Sequence, residues 1–191
     1  MNAPSDTGAD AAPNARPAAA ALRNLYVMRF GFALVWAVLL FLTGPATGPV
    51  SVVLLVIYPL FDVTAAVIDL RSSGAARPAA ALYVNLTLSL LAAIGLAATA
   101  ATGVPAVLRV WGAWAITAGI VQLIVAVSRR TLGGQWPMIL SGAISTIAGT
   151  TFILQAGTPA AALTSLAGYA TAGGVFFLIS ALRLHRTAKR S

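Results

Sequence analysis

The stretch VSVVLLVIYPLFDVTAAVIDL, residues Val50–Leu70, is apolar almost throughout and yet carries two aspartates, Asp62 and Asp69. A helix of about 20 residues rising about 1.5 Å per residue spans the ~30 Å hydrocarbon core of a bilayer. The run is continuous rather than alternating, so it predicts a membrane-spanning helix and not a barrel strand. Similar runs recur at roughly Leu25–Thr43, Ala79–Ala101, Pro105–Ser128, Pro137–Ala156 and Pro159–Leu182. The expected fold is therefore all-α: a polytopic membrane protein with six transmembrane helices.

Composition points the same way. Of 191 residues, 59% are hydrophobic and only 8% charged, and the mean hydropathy is +0.90. A soluble domain of this size carries about a quarter charged residues, because it must cover its core with polar surface. The net charge of +8 could signal nucleic acid in a soluble protein, but here the basic residues fall at the ends of the apolar runs. No nucleic-acid partner is expected; the lipid bilayer is. The absence of cysteine removes thiolate nucleophiles, disulfides and zinc–sulfur sites.

Residues 1–21, rich in Ala, Pro, Asn and Asp, predict a disordered cytoplasmic tail. Residues 22–184 form the six-helix transmembrane domain, and residues 185–191 a basic cytoplasmic tail. The first apolar run starts too late for a secretory signal peptide and has no A-x-A site, so an uncleaved signal anchor is expected. The connections GPATGP, RSSGAARP, TGVP, RRTLGGQ and GTP are short, which forces antiparallel neighbours. Pro49, Pro78, Pro105, Pro137 and Pro159 stand at or near the start of a helix, where no amide partner is needed. The connections after the first, third and fifth helices carry no charge. Arg16, Arg23, Arg71, Arg77, Arg129, Arg130, Arg183, Arg186, Lys189 and Arg190 lie on the other side. By the positive-inside rule both termini are cytoplasmic.

An internal register is visible. An aromatic residue follows Pro49, Pro105 and Pro159 at Tyr58, Trp114 and Tyr169. Four residues later come Asp62, Ala118 and Gly173, then Val63, Gly119 and Gly174. Tyr26 and Trp136 precede Pro49 and Pro159 by the same interval, with Tyr83 nearly in register. Three repeated helical hairpins of about 55 residues follow from this period. With its YPLFDV, WGAWAITAGIVQLIVA and WPMILSGAISTIAG segments, the chain resembles the short-repeat membrane family that includes the HdeD-type acid-resistance proteins. Family members often have Asp-Gly where this chain has Asp62-Val63. The resemblance implies six helices in a bacterial inner membrane and a part in acid or envelope stress resistance, and it implies no catalytic residues.

Chemistry is sparse. The chain has no Glu and one histidine, His185, in the basic C-terminal tail, where a solvated interfacial role is expected. Asp62 and Asp69 are the only carboxylates outside the N-terminal tail, so no metal set, no cofactor and no enzymatic centre is expected. Ser141, Ser145 and Gly149, like Asn85, Ser89 and Ala93, recur at one-turn spacing and predict close helix packing. Trp136, Tyr26 and Tyr83 suit interfacial anchors.

Asp62 remains. It lies ~12 Å deep from the cytoplasmic end of its helix, with Arg29 ~6 Å, Gln122 ~9 Å and Asn85 ~10 Å deep from the same side. Arg109 enters from the other side and snorkels outward. Arg29, Asn85 and Gln122 are thus the expected partners of Asp62, in an intramembrane polar cluster facing protein. Two functions fit. One is a non-enzymatic membrane protein acting through packing, lipid contact, a partner membrane protein or a homo-oligomer. The other is a small proton-coupled transporter or channel that uses Asp62 as its protonatable group.

Overall fold

The computed structural model describes residues 15–72, 79–128 and 136–188. These form α1 (Ala15–Leu42), α2 (Pro49–Ser72), α3 (Ala79–Thr99), a single 3-10 turn (Ala100–Thr102), α4 (Val104–Ser128), α5 (Trp136–Gln155) and α6 (Thr164–Ala188). There is no strand among the described residues. All six helices are long and apolar enough to cross a membrane. Their outward faces are apolar as well: Leu42 is 74% exposed, Ile147 67% and Phe41 63%. A surface of this kind is stable only against lipid, where burying hydrocarbon from water is no longer at stake.

Each helix packs on its neighbours in the chain, and α1 closes on α6, so the six form a ring. The closest interfaces are α4/α5, α1/α6 and α2/α3; α1/α2 and α5/α6 touch less. The tight contacts therefore fall between the expected hairpins rather than within them. At α4/α5 the reason is glycine. A Cβ on Gly112 would lie 2.6 Å from the Gly149 carbonyl oxygen, and one on Gly119 would lie 2.7 Å from that of Gly142. The two pairs are seven residues apart on each helix, two turns along one face, so the backbones touch where side chains would have held them apart.

Local signals explain the ends. Gly44, at φ +85°, ends α1 in the left-handed region. The Ser51 hydroxyl accepts the Gly48 amide at 2.7 Å, bonding the chain entry of α2 back onto its first turn. Leu163 donates its amide to the Pro45 carbonyl at 3.2 Å, tying the α5–α6 turn to the α1–α2 turn.

Three expectations need correction. The first helix begins at Ala15, inside the segment expected to be a disordered tail through residue 21. RPAAAAL is alanine-rich, and Pro17 falls in the first turn, where its missing amide costs nothing. At the other end α6 runs through His185 to Ala188, so part of the expected 185–191 tail is helical. Pro159 does not open α6; it sits in a turn and the helix starts at Thr164. Residues 1–14, Pro78 and the connections carrying Arg77, Arg129 and Arg130 lie outside the described residues, as do Lys189 and Arg190.

Candidate functional site

Asp62 projects from α2 one turn beyond Pro59, which is fully buried inside the helix. Proline has no amide to donate to the Leu55 carbonyl; such an interruption is tolerated in spanning helices packed among others. Two neighbouring helices meet the carboxylate. Arg29 of α1 donates from Nη1 to Oδ1 at 2.9 Å, a salt bridge. Asn85 of α3 donates from Nδ2 to Oδ2 at 2.9 Å, and the Ser89 hydroxyl donates to the same oxygen at 2.7 Å. Asn85 and Ser89 are one turn apart, so a single face of α3 presents both donors. The side chains of Arg29 and Asp62 are 15% and 18% exposed. Both carboxylate oxygens are thus occupied in surroundings where an unpaired charge is costly.

The guanidinium of Arg29 also lies over the Phe177 ring of α6, 5.1 Å from its centroid. This cation–π contact extends the cluster to a fourth helix. One side chain therefore links α1 to α2 and to α6.

One turn along α2, Tyr58 sits in an aromatic layer. Its ring is 4.6 Å from Trp36, 5.4 Å from Trp111, 5.5 Å from Phe32 and 6.2 Å from Trp114. Trp36 donates its indole N–H to the Leu54 carbonyl at 2.6 Å. Fully buried Leu40, Leu55, Leu96, Leu108, Leu163 and Leu166 continue this layer into the core. The polar cluster thus borders an apolar, aromatic-rich layer.

The cluster contains Asp62, Arg29 and Asn85 as expected from depth, but not Gln122. That side chain donates to the Met138 carbonyl of α5 at 3.0 Å. Gln122 lies one turn from Gly119, on the face of α4 that is pressed against α5, so depth matched and direction did not. Ser89 is the further member: its one-turn spacing from Asn85, expected to serve helix packing, places its hydroxyl on the carboxylate. In the register of Asp62 stand the small residues Ala118 and Gly173, but the close contacts fall one residue later, at Gly119 and Gly174. A Cβ on Gly173 would meet nothing within 4 Å, whereas Gly174 lies against Ala33 and Phe30.

Other candidates fall elsewhere. Ser145 accepts the Tyr169 hydroxyl at 2.9 Å, joining α5 to α6. Arg109 is exposed near the opposite end, and His185 is exposed beside Arg23. Trp136 and Tyr83 are exposed, while Tyr26 packs on Phe177 at 5.9 Å. Most described threonine hydroxyls within the spans bond their own helix, as Thr64 does to Leu60, Thr117 to Ala113 and Thr171 to Ala167. They leave little polar lining for a path. Among the described residues no three His, Asp or Glu side chains could share a metal ion.

The fold defines a six-span helical membrane protein with a partly buried ionic cluster. No family model, curated protein or solved structure matches the chain.

Proposed function

We propose that the chain is a non-enzymatic membrane protein in which Asp62 is a structural clamp. In this reading it acts in acid or envelope stress resistance, through packing, lipid or partner contacts. The observation that carries the clamp is that both carboxylate oxygens accept bonds, from Arg29, Asn85 and Ser89. A carrier for protons needs a carboxylate that exchanges partners and a polar route beyond it. Here the next layer is Trp36, Tyr58, Trp111 and leucine. The resemblance to the HdeD-type family supports the stress role. Cells lacking the gene should lose viability in an acid challenge; a wild-type copy should restore it, and an Asp62→Asn copy should restore most of it. A copy of Asp62→Asn that is inserted and stable yet gives no tolerance, together with proton flux into liposomes that needs Asp62, would transfer the assignment to the transporter reading.

The threefold repeat belongs to the same proposal. Asp62 meets Ser89, Gly119 meets Gly142, and Gly174 meets Ala33. These contacts fall 13, 14 and 15 residues after Pro49, Pro105 and Pro159, and on the partner helices 6, 6 and 7 residues after Tyr83, Trp136 and Tyr26. One interface is thus used three times round the ring, with a carboxylate and hydroxyl in place of small residues at α2/α3.

The proposed location is a bacterial inner membrane with both termini cytoplasmic, supported by the distribution of Lys and Arg. Single cysteines at Ala46 and Thr158, in a chain with none of its own, should react with an impermeant maleimide added to intact spheroplasts. Labelling only after lysis would reverse the orientation.

A further inference from the structure

Closing the ring brings the two ends of the chain together at one membrane edge. The apolar spans of α1 and α6 are Arg23–Leu42 and Thr164–Arg183, but the helices continue to Ala15 and Ala188. Both therefore project past the span on the same side. There Nη1 of Arg23 stands 3.4 Å from Nδ1 of His185, across 162 positions of sequence. Its Nη2 donates to the Asn24 side-chain oxygen at 3.3 Å. Neither partner is a carboxylate, so neither offsets the charge of Arg23. Arg186 is exposed and bonds no described residue. Arg183 lies over the Trp136 ring of α5 at 5.6 Å, which holds a third guanidinium at the boundary of the span. Asp62 is already held by Arg29.

We propose that this edge binds the headgroup of an anionic phospholipid. Arg23 and Arg186 would supply the charge, and Arg183 on Trp136 would supply the interfacial anchor. Guanidinium groups suit a phosphodiester because their paired N–H donors match its oxygens. Position selects lipid over a free anion. The arginines stand where the apolar spans end, and one to two turns inward the surface offers Val27, Met28 and Val175, all more than 40% exposed, against which acyl chains lie. Clusters of arginine next to a span attract anionic lipid and are screened by salt. Arg109, exposed at the opposite end, provides an internal control.

The test uses the full chain in neutral detergent, with its melting temperature measured after adding phosphatidylglycerol or phosphatidylcholine of matched acyl chains. Phosphatidylglycerol should raise the melting temperature by about 4 °C more than phosphatidylcholine, as ligand linkage for a site filled well above its dissociation constant requires. Arg23→Gln with Arg186→Gln should remove more than half of that difference, Arg23→Lys with Arg186→Lys should keep most of it, and Arg109→Gln should keep all of it. Native mass spectra of Arg186→Gln alone, which breaks no described contact, should retain fewer phosphatidylglycerol molecules than the wild type. Equal shifts by the two lipids would overturn the proposal. So would an equal loss in Arg109→Gln, full retention in the Gln variants, or an equivalent shift from inorganic phosphate.

Discussion

Gly149→Ala should destabilise the protein by roughly 3 kcal/mol, the upper part of the range for overpacking a filled interior, although it adds one methyl group. The new Cβ would lie 2.5 Å from the Gly112 carbonyl oxygen, 2.8 Å from Ile116 Cγ1 and 2.9 Å from the Ile116 amide nitrogen. Two of these three atoms are backbone, so no rotamer change relieves them and α4 must move away from α5. Gly112→Ala meets the reciprocal obstacle, with the Gly149 carbonyl at 2.6 Å. Because both substitutions separate the same helices, the pair should cost less than the sum of the singles. Gly168→Ala and Gly31→Ala provide the contrast, since a Cβ at either meets nothing within 4 Å. These should leave the melting temperature unchanged or raise it slightly, alanine being the better helix former by up to about 1 kcal/mol. Thermal unfolding in one detergent compares all four. If Gly149→Ala melts with the wild type, the glycine-to-glycine approach of α4 and α5 is wrong.

The contrast also shows what a single sequence discloses about a fold of this kind. The spans were legible because lipid imposes one length and one composition on every segment that crosses it. Val50–Leu70 alone set the class. The pairing of helices was not legible, because every face of a spanning helix is apolar and periodicity no longer separates inside from outside. Gly112 and Gly149 face each other, while Gly168 and Gly173 face open space; the letters are the same. Short connections make antiparallel neighbours of α1/α2 and of α5/α6, yet the larger interface of α1 is with α6. Chain proximity fixes which helices are near and leaves small residues to decide which are close.

The polar cluster was partly legible for a related reason. Counting residues from a span end gives depth, and depth selected Arg29 and Asn85 correctly. It also selected Gln122, because depth carries no information about the angle around a helix. Ser89 could have been found from its one-turn spacing to Asn85, since two hydrogen-bonding side chains on one face of a spanning helix need an acceptor or turn back to their own backbone. The Arg29 contact with Phe177 depends on closure of α1 on α6 and has no counterpart in local sequence.

Removing the carboxylate while leaving its partners should show how much the cluster holds. Asp62→Leu strands the Arg29 guanidinium and the Asn85 and Ser89 donors in a largely buried position. Breaking one side of a buried ion pair costs about 3–5 kcal/mol; with Arg29 and Asp62 at 15% and 18% exposure, about 3 kcal/mol is the expected loss. Asp62→Asn keeps one accepting oxygen for Arg29 or for Ser89 and should cost about 1–2 kcal/mol, the value of a charge-assisted hydrogen bond exchanged for a neutral one. The discriminating variant is the double replacement Asp62→Leu with Arg29→Leu. Neither charge is then left without its partner, and replacing an entire buried pair by apolar side chains is often close to neutral. The double variant should therefore melt nearer to the wild type than either single variant does, which requires a coupling larger than the cost of Asp62→Leu, that is more than about 3 kcal/mol in a double-mutant cycle. Costs that simply add would mean that Arg29 and Asp62 are held in place independently, and the clamp would lose its basis. If the cycle shows coupling while Asp62→Asn folds normally and abolishes function, the pair holds the helices and the ionisable proton has a second task.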